Sequence, residues 1–290
     1  MIIECVVNIS EGRDEIVLAA LSAAAAPALL DTHRDPHHHR SVFTLAGPVD
    51  VVVAASQALA TVAVERLDLS EHRGVHPRLG LVDVVPFVPY QPEQLSQPGS
   101  GDLGDSADLA TVTGLRDDFA HWMATTLGVP SFLYGPLPGG RTRTLPQVRR
   151  GAFADFAPDY GPGDPHPTAG ATAVGARPVL IAYNVWVSSV DVARQVARLA
   201  RGPLLRTLGL AVGERAQVSC NLIGPAHLGP AQAFDLVARS VAEVGGDVLG
   251  AELVGLLPGA VLNEIPRSRW AELGLSDGDT VEARLALRRP

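Results

Sequence analysis

Residues 71–89 read Glu71-His72-Arg73-Gly74-Val75-His76-Pro77-Arg78-Leu79-Gly80-Leu81-Val82-Asp83-Val84-Val85-Pro86-Phe87-Val88-Pro89. A polar loop with two imidazoles and two guanidiniums opens directly into an apolar, β-branched run. That is the pattern of a scaffold strand holding out a reactive loop. Prolines at 77, 86 and 89 stiffen the path, and a reactive loop needs such rigidity.

Upstream, residues 2–9 read as a strand, 10–13 as a turn and 14–26 as a helix with Ile16, Leu18, Ala19 and Leu21 on its buried stripe. Strands at 28–32 and 41–46 flank the polar run Arg34-Asp35-Pro36-His37-His38-His39-Arg40. Residues 51–67 read as a long helix with Asp50 as its N-cap. The result is β-α-β-β-α, most of a ferredoxin-like unit, with the 71–89 stretch directly after it.

Downstream, residues 91–106 turn to Pro, Gln, Gly, Ser and Asp, which predicts a mobile loop with too little apolar area to offset the entropy of ordering. A helix at 108–127 and a short strand at 131–135 follow. An irregular Pro- and Gly-rich region at 136–170, with a short helix at 145–150, is long enough to predict a functional role. The pattern then restarts with a strand at 179–187 and a helix at 190–201, whose inner side is Val190, Val192, Ala193, Val196 and Leu199. A hairpin at 208–212 and 216–222, a helix at 230–244 stopped by Gly245-Gly246 and a strand at 248–256 complete the second set. A short helix at 267–273 and a last strand at 280–287 close the chain. The expected fold is α+β: two tandem ferredoxin-like αβ subdomains, 1–177 and 178–290, with sheets facing across a ligand cleft.

Composition narrows the chemistry. The 290 residues are 47% hydrophobic and 19% charged, enough for a sizeable core, and the net charge is −8. All 23 cationic side chains are Arg, which excludes Schiff-base chemistry through a lysine, and the acidic balance argues against nucleic acid as a partner. Cys5 and Cys220 lie on apolar strand-like runs and read as buried thiols in a reducing cytoplasm. The N-terminus lacks a signal peptide's basic region, and the apolar stretch 17–30 falls short of the roughly 20 residues of a membrane span.

His37-His38-His39, with His33 nearby, is the most conspicuous cluster, but consecutive residues on an extended loop point in different directions, so no metal site is expected. Gly99-Ser-Gly-Asp-Leu-Gly104 spells G-x-G-x-x-G without opening a helix, and no phosphate loop or nucleophile elbow is present. What is left is a set of loop cations and imidazoles: Arg40, His76, Arg78, Arg141, Arg143, His166 and Arg177. Guanidinium forks bind carboxylates bidentately, so this set predicts a positive funnel for a small anionic ligand. His76 as general base makes it an acyl- or formyl-type transfer pocket.

Several motifs carry a family resemblance: Val-Val-Asn-Ile-Ser-Glu-Gly at 6–12, Leu-Leu-Asp at 29–31, Arg-Ser-Val-Phe-Thr at 40–44, His-Pro-Arg-Leu-Gly at 76–80 and Asp-Val-Val-Pro-Phe-Val-Pro at 83–89. Phe-Leu-Tyr-Gly at 132–135, Arg-Thr-Leu-Pro at 143–146, Ala-Pro-Asp-Tyr-Gly-Pro at 157–162, Gly-Ala-Thr-Ala-Val-Gly-Ala-Arg at 170–177 and Leu-Val-Gly-Leu-Leu-Pro at 253–258 continue it. In order and along nearly the whole chain, these resemble glutamate formiminotransferase, the transferase part alone of the animal formiminotransferase-cyclodeaminase. The resemblance implies transfer of a formimino group from N-formimino-L-glutamate to N5 of tetrahydrofolate as co-substrate, in a cytoplasmic homodimer. It implies His76 as the catalytic base, with Arg78 as its supporting charge. Folate would be contacted by Gly161, Pro162, Gly163, Asp164, Pro165, His166, Pro167, Thr168, Ala169 and Gly170. The expected substrate contacts are Arg40, His38 and Arg143. Where the animal enzymes have an acid, an Asn, a Glu and an aromatic residue, this chain has His33, His39, Val75 and Ala169. A related transferase with another amidine or formyl donor, and a non-catalytic folate-binding protein, are the alternative readings.

Overall fold

The computed structural model describes residues 1–91 and 106–288, with the side chains of 106 and 107 excepted. Two β-α-β-β-α-β sets build it, each around its own sheet. The first runs β1 (Ile2–Ile9), α1 (Glu15–Ala25), β2 (Leu29–Asp35), β3 (Arg40–Pro48), α2 (Val49–Arg66) and β4 (Val82–Pro89), and its strands lie in the order β2-β3-β1-β4. The sheet continues past β4 with α3 (Ser106–Thr126), β5 (Ser131–Leu137), β6 (Arg141–Arg143), α4 (Leu145–Gly151) and β7 (Thr172–Ala176). β7 lies parallel to β4, and β5 and β6 extend the sheet to seven strands.

The second set is β8 (Ile181–Val187), α5 (Val190–Leu199), β9 (Leu205–Val212), β10 (Arg215–Leu222), α6 (Pro230–Glu243) and β11 (Val248–Val254), in the matching order β9-β10-β8-β11. Short helices α7 (Gly259–Asn263), α8 (Trp270–Leu273) and α9 (Val281–Ala286) follow. Both sheets carry the ferredoxin-like strand order, so the expected α+β class with two tandem αβ units is what the chain adopts. Contacts divide it into a unit ending at Arg177 and a unit from Pro178 onward.

Burial explains the positions of the elements. β4 is buried along its whole length. Val85 and Phe87 enter the main core, where Leu21, Leu59 and Phe119 stand for the three long helices, while Val84 joins Phe132, Tyr134 and Val148 in a second cluster under α4. A strand covered on both faces is a run of apolar residues rather than an alternation. β4 is accordingly continuous in Val, Pro and Phe, with one exception at Asp83. Cys5 and Cys220 are buried free thiols, pushed up to about 12 by burial, and so are unreactive at neutral pH.

Local readings need correction in four places. In α1 the inward positions are Leu18, Leu21 and Ala25, spaced three and four apart, while Ile16 (76% exposed) and Ala19 face solvent. Pro48, not Asp50, precedes α2; Asp50 sits in the first turn, where a carboxylate suits the positive end of the helix. Leu199 ends α5 on the exposed side, and Ala193, Val196 and Ala197 face the core. The expected last strand at 280–287 is helix α9, because the Thr280 hydroxyl caps it by accepting the Ala283 N–H at 3.1 Å. The glycine motif at 99–104 and all but the ends of the 91–106 loop lie outside the described residues.

Candidate active site

The exception in β4, Asp83, is the centre of the candidate site. Asp83 is fully buried and sits where the β1–β4 pairing skips a residue, Asn8 facing Val84 and Ile9 facing Val82. Such a bulge re-aims a side chain. The Asp83 carboxylate accepts from Arg40 Nη1 at 2.5 Å, Arg149 Nη2 at 2.7 Å and Nη1 at 3.2 Å, and the Leu79 backbone N–H at 2.7 Å. Burial alone would raise its pKa; the two guanidiniums and the N–H hold it well below the usual carboxylate range. Arg40 also donates to Asn8 Oδ1 at 3.1 and 2.8 Å. Two guanidiniums around one carboxylate leave a local excess of positive charge.

His76 lies in that field. Its Nδ1 is 2.8 Å from the Pro77 carbonyl oxygen. A carbonyl only accepts, so Nδ1 carries the proton and Nε2 keeps its lone pair. Burial, then Arg40 and Arg149 against an opposing pull from Asp83, push the imidazole down to about 3. At neutral pH the ring is therefore uncharged. Arg78 braces the loop from within, donating Nη1 to the Gly74 oxygen at 3.1 Å and to the His76 oxygen at 3.0 Å. His38 is buried and meets the His76 ring edge-on at 5.8 Å between centroids. Asp35 Oδ1 accepts the N–H groups of His37 and His38, a tight turn that gives the three consecutive histidines different directions. Among the described residues no group of three or more His, Cys, Asp or Glu is placed to hold a metal ion.

The 161–170 segment is stitched to the base of the His76 loop. His166 and Gly170 exchange backbone hydrogen bonds at 2.8 and 2.9 Å, and the His166 Nδ1 accepts the N–H groups of Thr168 and Ala169. The turn then pairs with the loop: Leu69 N–H to Thr168 O at 2.8 Å, Leu81 N–H to Ala169 O at 2.9 Å and Ala171 N–H to Leu79 O at 3.1 Å. Gly80 and Gly170 cross so closely that a β-carbon on Gly80 would lie 2.3 Å from the Ala169 oxygen, and one on Gly170, at φ +70°, 2.5 Å from the Leu79 oxygen. Ala169 is buried in the main core, whereas residues 161–165 are exposed. His76, Arg40 and the whole 161–170 segment belong to the first unit.

The other sequence candidates fall elsewhere. Arg143 pairs with Asp159 at 2.6 Å and lies over the Phe156 ring at 4.4 Å. Arg141, Arg143 and Arg150 line a cavity of about 350 Å³. This cavity is distinct from the His76 cluster but shares α4 with it, Arg149 facing Asp83 and Arg150 the cavity. Arg177 acts on Tyr134 and Cys5, and its N–H binds the Phe87 oxygen, four residues along β4 from Asp83. Asp83, Arg149 and Asn8 were not among the sequence candidates. The available signal was a lone carboxylate inside an apolar strand, which burial rules make informative.

Known proteins match this arrangement of sequence. The family model for the formiminotransferase domain, N-terminal subdomain, matches residues 2–177. The chain is 34% identical over 289 residues to glutamate formimidoyltransferase of Streptococcus pyogenes serotype M1, covering 91% of each chain. It is 29% identical over 309 residues to glutamate formimidoyltransferase of Thermoplasma acidophilum, covering 98% of this chain and 97% of that one. Against formimidoyltransferase-cyclodeaminase of Sus scrofa it is 33% identical, and it spans 50% of that protein's length.

Proposed function

We infer, from the premise that the chain belongs to the formiminotransferase family, how it works: it is a transferase that moves a formimino group from N-formimino-L-glutamate to N5 of tetrahydrofolate, with His76 as general base. The observation that carries the role of His76 is its tautomer. Nδ1–H is committed to Pro77, so the Nε2 lone pair is the one available to accept a proton.

In this reading folate N5 attacks the formimino carbon, forming the new C–N bond, and His76 Nε2 takes the N5 proton. The tetrahedral intermediate collapses, the bond to the glutamate nitrogen breaks, and His76 returns its proton to that nitrogen, so glutamate leaves as the amine. A base near 3 is weak, and the site supplies a remedy. Burial is the larger cause of the depression and remains, but both substrates carry carboxylates, and their arrival beside Arg40 and Arg149 offsets the cationic part of it. Base strength then rises once substrate is bound. Arg40 and His38 contact the donor, Arg143 orders the adjoining segment through Asp159, and the exposed residues 161–165 of the 161–170 segment contact the folate, while its far end, Thr168 and the buried Ala169, anchors it through hydrogen bonds to Leu69 and Leu81. Arg78 keeps the loop carbonyls of 74 and 76 in place.

Among the described residues no helix is long and apolar enough to cross a membrane. The working form we propose, on the family likeness, is a cytoplasmic homodimer. Incubation with N-formimino-L-glutamate and tetrahydrofolate, followed by absorbance, is expected to yield 5-formiminotetrahydrofolate. Tight folate binding without transfer from that donor would refute the assignment.

A further inference from the structure

His39 has a backbone that a β-carbon disfavours: φ is +50°, and Phe153 is the other non-glycine residue with positive φ among those described. That conformation lets one residue make four contacts. Its Nε2–H donates to Glu11 Oε1 at 3.2 Å, and its Nδ1 accepts the Arg73 backbone N–H at 3.2 Å. Its carbonyl accepts the His72 Nε2–H at 2.7 Å, and its ring stacks on His72 with centroids 4.3 Å apart. The protons are assigned by the partners, since a carboxylate only accepts and a backbone N–H only donates.

Glu11 is itself immobilised, its Oε1 accepting the N–H groups of Gly12, Arg13 and Asp14 at 2.7, 2.6 and 3.0 Å. Arg13 adds a second strut, donating Nε to the Pro36 oxygen and Nη2 to the Arg73 oxygen. One residue further on, Gly74 packs so tightly that a β-carbon there would lie 2.1 Å from the His38 oxygen. His76 follows two residues later. Neither Glu11 nor His39 hydrogen-bonds the base, so any effect they have on it passes through the loop.

We infer that His39, held by Glu11, is the positioning residue that docks the 72–76 loop onto the turn after β2 and thereby sets where His76 Nε2 points. The inference rests on the reading of His76 as the base. A displacement of about 1 Å is enough to cost on the order of 10²-fold in rate, so the contacts of His39 matter without its touching substrate.

Two variants test it. His39→Gly relaxes the backbone at positive φ and removes the ring; His39→Asn keeps tolerance for that backbone and retains an amide oxygen for the Arg73 N–H. Steady-state kinetics with N-formimino-L-glutamate and tetrahydrofolate are combined with an NMR titration of the His76 ring. For His39→Gly we expect kcat to fall roughly 10- to 100-fold with both KM values within about two-fold. The His76 titration should move up toward the ordinary histidine value of about 6.5 as the ring leaves its cationic, desolvated seat. His39→Asn should recover several-fold of the loss. A His39→Gly protein with unchanged kcat and an unchanged His76 titration would overturn the inference. If His76 proves not to be the base, the titration alone decides: an upward shift supports the docking role and an unchanged midpoint refutes it.

Discussion

The two units place an arginine at the same point of the same topology, facing the same strand position, and use it differently. In the first, the leading residue of the third strand, Arg40, reaches the penultimate residue of the first strand, Asn8. In the second, the leading residue Arg215 lies over the penultimate residue Trp186 at 4.0 Å. Both fourth strands are bulged at their second residue: β4 skips Asp83 between Val82 and Val84, and β11 skips Leu249 between Val248 and Gly250. In one unit the bulged residue is a fully buried carboxylate clasped by two arginines; in the other it is a leucine 57% exposed to solvent. The topology supplies a bulge that can aim a side chain, and the residue placed there decides whether the position holds a buried charge or an exposed apolar group.

The largest effect is expected from Asp83→Asn. Removing the charge leaves Arg40 and Arg149 facing each other without compensation, and breaking a buried pair from one side costs roughly 3–5 kcal/mol. A fall of that size in unfolding free energy, read from urea melts, is expected, while a loss below about 1 kcal/mol would contradict the role given to this carboxylate.

Acid should loosen the first unit. Burial and neighbouring cations hold His76 at about 3, and burial, first among its causes, holds His72 at about 4. In the unfolded chain both would bind a proton below about 6.5, so the stability they contribute is complete above that pH and is lost progressively as pH falls toward 4 and 3. The depressed carboxyls of Asp83 and Glu11 add a further loss below about 4. Urea midpoints should therefore fall between pH 7.5 and pH 5, and a His76→Ala, His72→Ala double variant should flatten that slope.

The smallest effect is expected in the second unit. Leu249→Asp puts an acid at the equivalent bulge of the second unit. Because that position is exposed, stability should change by no more than about 0.5 kcal/mol, and turnover should stay at the wild-type level. A site needs burial around the charge as well as the charge.

Much of this was legible in the residues. The alternation of apolar runs and polar breaks located both sets of elements, and the histidine–proline–arginine loop stood out by its density of ionisable groups. What escaped was long-range. Arg149 reads as one of two adjacent arginines at the end of a short helix, and nothing local says that it meets a carboxylate 66 positions away. The left-handed backbone of His39 is likewise invisible in a run of three histidines, since contacts with Glu11 and residues 72–73 sustain it. Val, Ala and Leu at 281–287 suit a strand or a helix equally, and a single hydroxyl cap from Thr280 settles the choice.

In the proposed reaction His76 takes the proton from the attacking nitrogen. Single-turnover mixing of enzyme and N-formimino-L-glutamate with tetrahydrofolate measures that step directly in the wild type and in His76→Ala. The account predicts that the variant binds tetrahydrofolate with unchanged Kd while 5-formiminotetrahydrofolate appears on the order of 10²-fold or more slowly. An unchanged rate in the variant would contradict it.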